Sequence, residues 1–266
     1  MKQMTLDEVK KVQLNILSYV ASFCEENGIQ YWIDSGTLLG AIRHKGYIPW
    51  DDDIDIGMLR EDYDRFSALF NETSQEYRFL CVENTPDFYL PHGKVCDDST
   101  ILFEPDENGF RSAVNIDVFV YDHAPDDDRE LDRMYDRRDQ LRHRHAVLNT
   151  GIVYAGNPLK YVAKKIRKLI FKVLYGKQNL IKEMVKNSKL YATDSTSRVG
   201  NFTAYTRMSC DKRVFEDFVD VEFEGMSFKA PIGYDEWLRS FYGDYMTLPP
   251  VEKRVSHHSY QAFFKE

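Results

Sequence analysis

Four carboxylates fall within five residues: Asp51, Asp52, Asp53 and Asp55. Side chains alternate along a strand, so Asp53 and Asp55 share one face while Ile54 and Ile56 share the other. The isoleucine face can enter a core. The aspartate face cannot, because adjacent carboxylates repel and are costly to strip of water. A hard divalent cation is the natural remedy, and Mg²⁺ keeps coordination positions open for substrate phosphates. The competing reading is a solvated acidic loop that caps the following helix. The apolar setting between Trp50 and Ile56 weighs against it.

A third acid, Asp117, stands alone in the strand-like run Val114–Val120. There Ile116, Val118 and Val120 face one way, and Asn115, Asp117 and Phe119 the other. A charge in such a run needs a partner. Beside the first acidic strand it would complete a three-carboxylate cluster, as metal ligand or as general base for an acceptor hydroxyl. By itself it reads as a cap or an ion-pair residue. Upstream, Ser35-Gly36-Thr37 sits between a strand and a helix. Free N–H groups and the helix dipole favour phosphate at such a point, and a glycine lets the backbone approach. The turn is ordinary alone and gains meaning from the acidic strand after it. Arg43, Lys94, Arg254 and His257 are candidates to finish a phosphate cage, or else surface and ion-pair residues. Tyr47 and Trp50 either stack on a base or pack. The His257-His258 pair either ligates a second metal or hydrogen-bonds.

The elements that must position these residues are legible in outline. Thr5 to Glu8 is a capping box that opens a helix over about 6–27, stopped by Gly28. A strand at 29–33, a short helix at 38–44, an extended 48–50 and a strand at 53–58 follow. A helix at 60–70 leads to strands at 77–82, 93–96, 101–104 and 113–121, with a turn at 106–109. From about 126 to 190 the strand signal fades. Asn157 to Lys189 holds ten Lys and Arg against one acid, Glu183, in a chain of net charge −8. Within it Leu159, Val162, Ala163, Ile166, Leu169, Ile170, Val173 and Leu174 form one helical stripe. Such a helix either packs its stripe on the core or lies against an anionic membrane, a peripheral contact through 157–189. The reading is an α+β fold: a core over 1–125, a helical basic insert over 126–198, and a C-terminal segment, 199–266, returning to the core as part of one functional unit.

Hydrophobic residues make up 43% of the 266, enough for a core, and the 14% aromatic content argues against disorder. The acidic balance argues against a general nucleic-acid binder. No secretory leader is visible in the first thirty residues, and no apolar run approaches the ~18 needed to span a bilayer, so a cytoplasmic setting is expected. The four cysteines form no C-x-x-C pair, which reads as reduced thiols rather than a zinc site.

Asp34 to Ile56, D-S-G-T-L-L-G-A-I-R-H-K-G-Y-I-P-W-D-D-D-I-D-I, closely resembles the signature of the LicD family, known for phosphorylcholine transferases, with fukutin-type transferases more distant. Asn115 to Phe119, N-I-D-V-F, resembles that family's third-acid strand. Tyr242 to Pro250, Y-G-D-Y-M-T-L-P-P, with Arg254 and His257 after it, resembles its C-terminal signature. The basic middle carries no matching motif. The resemblance implies a nucleotidyltransferase-like mixed sheet with flanking helices. It implies phosphate held by Ser35, Gly36 and Thr37, Mg²⁺ (or Mn²⁺ in its place) on Asp53 and Asp55, and Asp117 as the third carboxylate. It implies a CDP-alcohol donor, CDP-choline foremost, and a glycan acceptor such as lipopolysaccharide, teichoic acid or a lipid-linked precursor, with CMP leaving. Gly-Thr stands where the wider superfamily has Gly-Gly or Gly-Ser. Two other readings stay open: nucleotidyl transfer with pyrophosphate release, and a non-catalytic nucleotide-binding scaffold.

Overall fold

The computed structural model describes residues 1–103, 112–152, 156–191, 196–255 and 260–265. The expected turn at 106–109 and the His257-His258 pair lie outside the described residues. The chain opens with β1 (Lys2–Gln3) and α1 (Leu6–Glu26). The capping box forms: the Glu8 N–H donates to Thr5 Oγ1 at 3.2 Å, and the Thr5 N–H to Glu8 Oε2 at 2.8 Å. One face of α1 buries Val9, Ile16, Leu17, Val20 and Phe23.

Next come β2 (Trp32–Ile33), α2 (Ser35–His44), β3 (Asp55–Leu59) and α3 (Arg60–Thr73). Two boundaries differ from expectation. α2 starts at Ser35, with extended Asp34 as its N-cap, so Ser-Gly-Thr is the first turn of the helix itself. β3 starts at Asp55, and Asp53 lies in the segment before it. Ile48–Trp50 is not extended: the Asp51 N–H donates to the Ile48 carbonyl at 2.8 Å, closing a turn with Pro49 second, where its fixed φ is favoured.

β4 (Arg78–Leu80), β5 (Gly93–Phe103) and β6 (Ser112–Ala124) follow. The strands expected at 93–96 and 101–104 are, over the described residues, one strand, β5, with a register shift between Asp97 and Leu102. Polar Asp97-Asp98-Ser99 reads as a break in sequence. In the fold, Thr100 Oγ1 accepts from the Val114 N–H at 2.9 Å and replaces a ladder bond across the irregularity.

The insert consists of α4 (Asp128–Asn149), α5 (Pro158–Leu174) and α6 (Lys177–Ser188). The chain returns through β7 (Arg198–Asn201), β8 (Met208–Asp211), β9 (Phe218–Phe223), β10 (Met226–Pro231), α7 (Tyr234–Tyr242) and β11 (Gln261–Phe264). The main sheet runs β1-β11-β5-β6-β3-β2, with β4 beside β5 and β7-β8 beside the end of β6. β3 and β6 are parallel and the other pairings antiparallel. This is the expected α+β, nucleotidyltransferase-like architecture: a mixed sheet, flanking helices and a basic helical insert.

An apolar core built on Ile16, Leu17, Trp32, Ile54, Ile56, Phe66 and Val118 fixes the sheet against α1 and α3. Trp32 crosses Gly57 on the neighbouring strand, where any Cβ would stand 2.5 Å from its ring. Arg60 at the start of α3 grips buried Asp122 near the end of β6 through two bonds, of 2.7 and 3.0 Å. α4 docks through Arg138, which donates to the Thr206 carbonyl at 2.8 Å. α6 packs Leu180, Ile181 and Met184 on Leu141 and Leu148 of α4. α5 contains no buried residue, so the stripe on it does not pack on the core.

Candidate active site

The site begins where α2 and β3 are clasped together. The Asp34 N–H donates to the Asp55 carbonyl at 2.9 Å, and the Asp55 N–H donates to Thr37 Oγ1 at 2.8 Å. Thr37 is buried, and its hydroxyl fixes the backbone that carries the second acid. On the other side of β3 the Asp117 N–H donates to the Ile54 carbonyl at 2.9 Å, and the parallel register sets Asp55 directly opposite Asp117. Ser35, the first residue of α2, has φ 49, the left-handed region that ordinary residues avoid.

Three acids, Asp51, Asp53 and Asp55, line one recess of about 600 Å³ together with Ser35, Gly36, Arg43 and Trp50. The opposite wall is the C-terminal stretch Tyr242 to Pro250, contributing Tyr242, Asp244 and Pro249. Arg43 Nη1 donates to the Tyr245 carbonyl at 2.7 Å, and Arg254 Nε donates to the Pro249 carbonyl at 2.8 Å. Both arginines therefore brace this wall, and Arg254 also lies 5.6 Å from the centre of the Trp50 ring. Gly36 faces the acids closely: a Cβ there would stand 2.5 Å from Asp51 Oδ2. Trp50 stands on the recess, while Tyr47 packs at 5.1 Å from Phe223 and donates its hydroxyl to Gln13 Oε1 at 3.1 Å.

Burial, and then the charges of Asp53, Asp117, Asp34 and Asp51, push the Asp55 carboxyl well above the usual carboxylate range. Asp117 goes the other way. Burial would raise it, but Lys94 and His92 outweigh burial and hold it below that range. Lys94 Nζ lies 2.6 Å from Asp117 Oδ1 and 2.9 Å from Asn115 Oδ1; His92 Nε2 lies 3.4 Å from Asp117 Oδ2. Asp53 and Asp117 meet in a small recess of about 50 Å³ that Lys94 also lines. On the far side, His92 forms part of the wall of a cavity of about 810 Å³ between α4, α6 and residues 86–92.

Among the described residues no three His, Cys, Asp or Glu side chains converge as a ready metal cage. The donor set nonetheless fits a hard cation. It is all oxygen, Asp51 and Asp53 crowd Asp55, and Asp117 already has a cation, Lys94, beside it; Mg²⁺ takes one or two carboxylates and completes its shell with water and phosphate.

Two residues of this site escaped sequence reasoning. In sequence, Asp51 is only one member of an acidic run. Asp34 is wholly buried; its carboxylate accepts from Tyr121 Oη at 2.5 Å and Trp237 Nε1 at 3.2 Å. Burial raises its pKa, and the donated hydrogen bonds work against that rise. An aspartate before a helix looks like an ordinary cap, yet Asp34 makes no side-chain cap bond and instead ties α2 to β6 and α7.

Residues 28–90 match the family model described as LicD/FKTN/FKRP, nucleotidyltransferase domain. Over 271 residues the chain is 32% identical to the lipopolysaccharide cholinephosphotransferase LicD of Haemophilus influenzae, covering 99% of each protein. The chain belongs to the LicD family. More partial likenesses run to an uncharacterized protein of Rickettsia typhi, 35% identical over 41% of this chain and 38% of that one. The human ribitol 5-phosphate transferase FKRP is 50% identical over 44 residues, which is 16% of this chain and 9% of that one. The protein is a LicD-type transferase with nucleotidyltransferase-like transfer chemistry, a class that generally works with a divalent metal.

Proposed function

We propose that this LicD-family enzyme transfers a phosphoalcohol, phosphocholine from CDP-choline foremost, to a sugar hydroxyl of a cell-surface glycan such as lipopolysaccharide or teichoic acid, or of its lipid-linked precursor. The observation that carries this reading is the full-length likeness to a cholinephosphotransferase, falling on a recess lined by Asp51, Asp53, Asp55 and the start of α2. At about 600 Å³ the recess suits a small nucleotide-borne donor.

In this reading Asp53 and Asp55, with Asp117 as the third carboxylate, hold Mg²⁺, with Mn²⁺ as a substitute. Bound there, the cation supplies charge neutralisation to the donor pyrophosphate and polarises its phosphorus–oxygen bonds. The first N–H groups of α2, with Ser35 and Gly36, face the donor phosphates, and Thr37 positions Asp55 from behind. Arg43 and Arg254 hold the Tyr242–Pro250 wall against the donor. Asp117, kept ionised by Lys94, accepts a hydrogen bond from the acceptor hydroxyl and orients it. The hydroxyl oxygen bonds to the phosphorus that bears the alcohol. The bond from that phosphorus to the CMP oxygen breaks, CMP leaves, and the hydroxyl proton passes to Asp117 or solvent. A carboxylate held this low is a weak base, so orientation is its larger contribution. The cavity beside His92 supports entry of the acceptor from that side.

The proposed setting is the cytoplasm, with peripheral contact at the inner face of a membrane. Among the described residues no helix is long and apolar enough to cross one. The test is product analysis with CDP-choline, CDP-ribitol and CDP-glycerol, with and without Mg²⁺. CMP release that requires metal names the donor and supports the reading. Pyrophosphate release from a nucleoside triphosphate, without CMP from any CDP-alcohol, replaces it with nucleotidyl transfer.

A further inference from the structure

α5 is attached to the protein along one side. Its half-buried positions are Tyr161, Lys168 and Phe171. Phe171 packs against the Leu141–Leu180 cluster, and Lys168 Nζ donates to the Thr150 carbonyl at 2.9 Å. With about 3.6 residues per turn, those three positions lie opposite the apolar stripe. Leu159, Val162, Ile166, Leu169, Ile170, Val173 and Leu174 are between 47 and 81% exposed. Globular surface helices turn such a stripe to the core, and contiguous exposed apolar patches mark a docking surface.

The charges around the stripe say what docks. α5 contains no Asp or Glu. Lys160 and Arg167 border the stripe on one side, Lys165 and Lys172 on the other. Among the described residues no carboxylate forms an ion pair with any base of α5. A second copy of the chain laid stripe to stripe would set base against base with no acid on either helix. An anionic bilayer offers both complements at once, acyl chains for the stripe and headgroup phosphates for the bases.

We propose that α5 is an interfacial helix, lying flat on an anionic lipid surface with its stripe in the headgroup–acyl boundary and the rest of the protein on its opposite side. Lying flat, the 17 residues extend about 25 Å along the surface. The docking does not depend on the transfer reading, and its test reads binding rather than turnover.

The experiment is cosedimentation of the full chain with vesicles of phosphatidylcholine alone and of phosphatidylcholine mixed with phosphatidylglycerol, at low and high salt. Two variants accompany it: Ile166→Glu/Leu169→Glu/Val173→Glu, which removes the stripe, and Lys160→Glu/Arg167→Glu, which removes one basic border. All five positions are exposed, and circular dichroism and thermal midpoint verify the fold of each variant. Binding to the anionic vesicles is expected to exceed that to neutral ones roughly tenfold or more, to fall with salt, and to drop by a similar factor in both variants. The proposal is overturned by absence of binding to anionic vesicles, by binding that both folded variants retain, or by salt-insensitive binding equal on both lipids. Sedimentation velocity showing a stripe-dependent dimer without lipid binding would also overturn it.

Discussion

Around α2 and β3, the acidic residues Asp34, Asp52 and Asp55 are buried, whereas on α5 Leu159 and Val173 are left almost bare. Most proteins arrange these residue types the other way round, so each region departs from what folding alone would select. The two departures differ in how they are held. The acids sit in a dense lattice of backbone bonds and aromatic neighbours, with Asp34 gripped by Tyr121 and Trp237 and Asp55 clasped by Thr37. Among the described residues, nothing holds the stripe of α5 on its apolar side. In the proposed reading an acid must be held in place to act on a phosphate, whereas a stripe that meets lipid needs only to be presented.

The contrast can be broken experimentally, and the largest effect is expected at the acids. Asp55→Asn removes a carboxyl whose ionised form is opposed by burial and by Asp53 and Asp117, so transfer should fall on the order of 10³-fold while the metal-free protein melts at a higher temperature. Turnover and a thermal melt on the same sample check both halves; a variant that loses activity and stability together would make Asp55 a structural acid. Asp122 is the control. It is also buried but paired with Arg60, so Asp122→Ala leaves the guanidinium with only the half-exposed Asp64 as an acidic partner and should cost about 3–5 kcal/mol in denaturant unfolding.

A smaller effect belongs to the insert. Burial, and then Lys177 and Arg142, lower the His145 pKa from 6.5 to about 4. The unfolded chain therefore binds a proton here that the folded chain refuses. Stability is full above the ordinary histidine pKa and declines as pH falls from about 6.5 toward about 4. His145→Gln should flatten that part of the urea-midpoint profile; an unchanged slope would remove His145 as its cause. The smallest effect is expected on α5, where Leu169→Ser should alter stability by no more than about 0.5 kcal/mol, because the side chain is already in water. A loss of several times that would mean the stripe is packed after all.

How much of this was readable in advance depended on the range of the signal. Alternation separates Asp53 and Asp55, which line the recess, from Ile54 and Ile56, which enter the core, although the strand itself begins only at Asp55; Asp51 lies in the turn before it, where alternation gives no signal. Asp34 was invisible because its meaning comes from partners 87 and 203 residues away. Thr37 was expected to face phosphate. Its use by the Asp55 N–H follows from the pairing of α2 with β3, which spacing does not encode. The stripe of α5 was plain in the sequence, but periodicity gives only the existence of an apolar face and not what covers it. β5 appeared as two strands because three polar residues at a register shift look like a loop.

Cation binding tests the central claim most directly. Titrating Mn²⁺ or Mg²⁺ into the protein with CDP-choline present, calorimetry should show a binding event in the native chain that disappears in folded Asp53→Asn/Asp55→Asn. Undiminished binding in the double variant would contradict the account, because Asp53 and Asp55 would then hold no metal and their crowding would need another explanation.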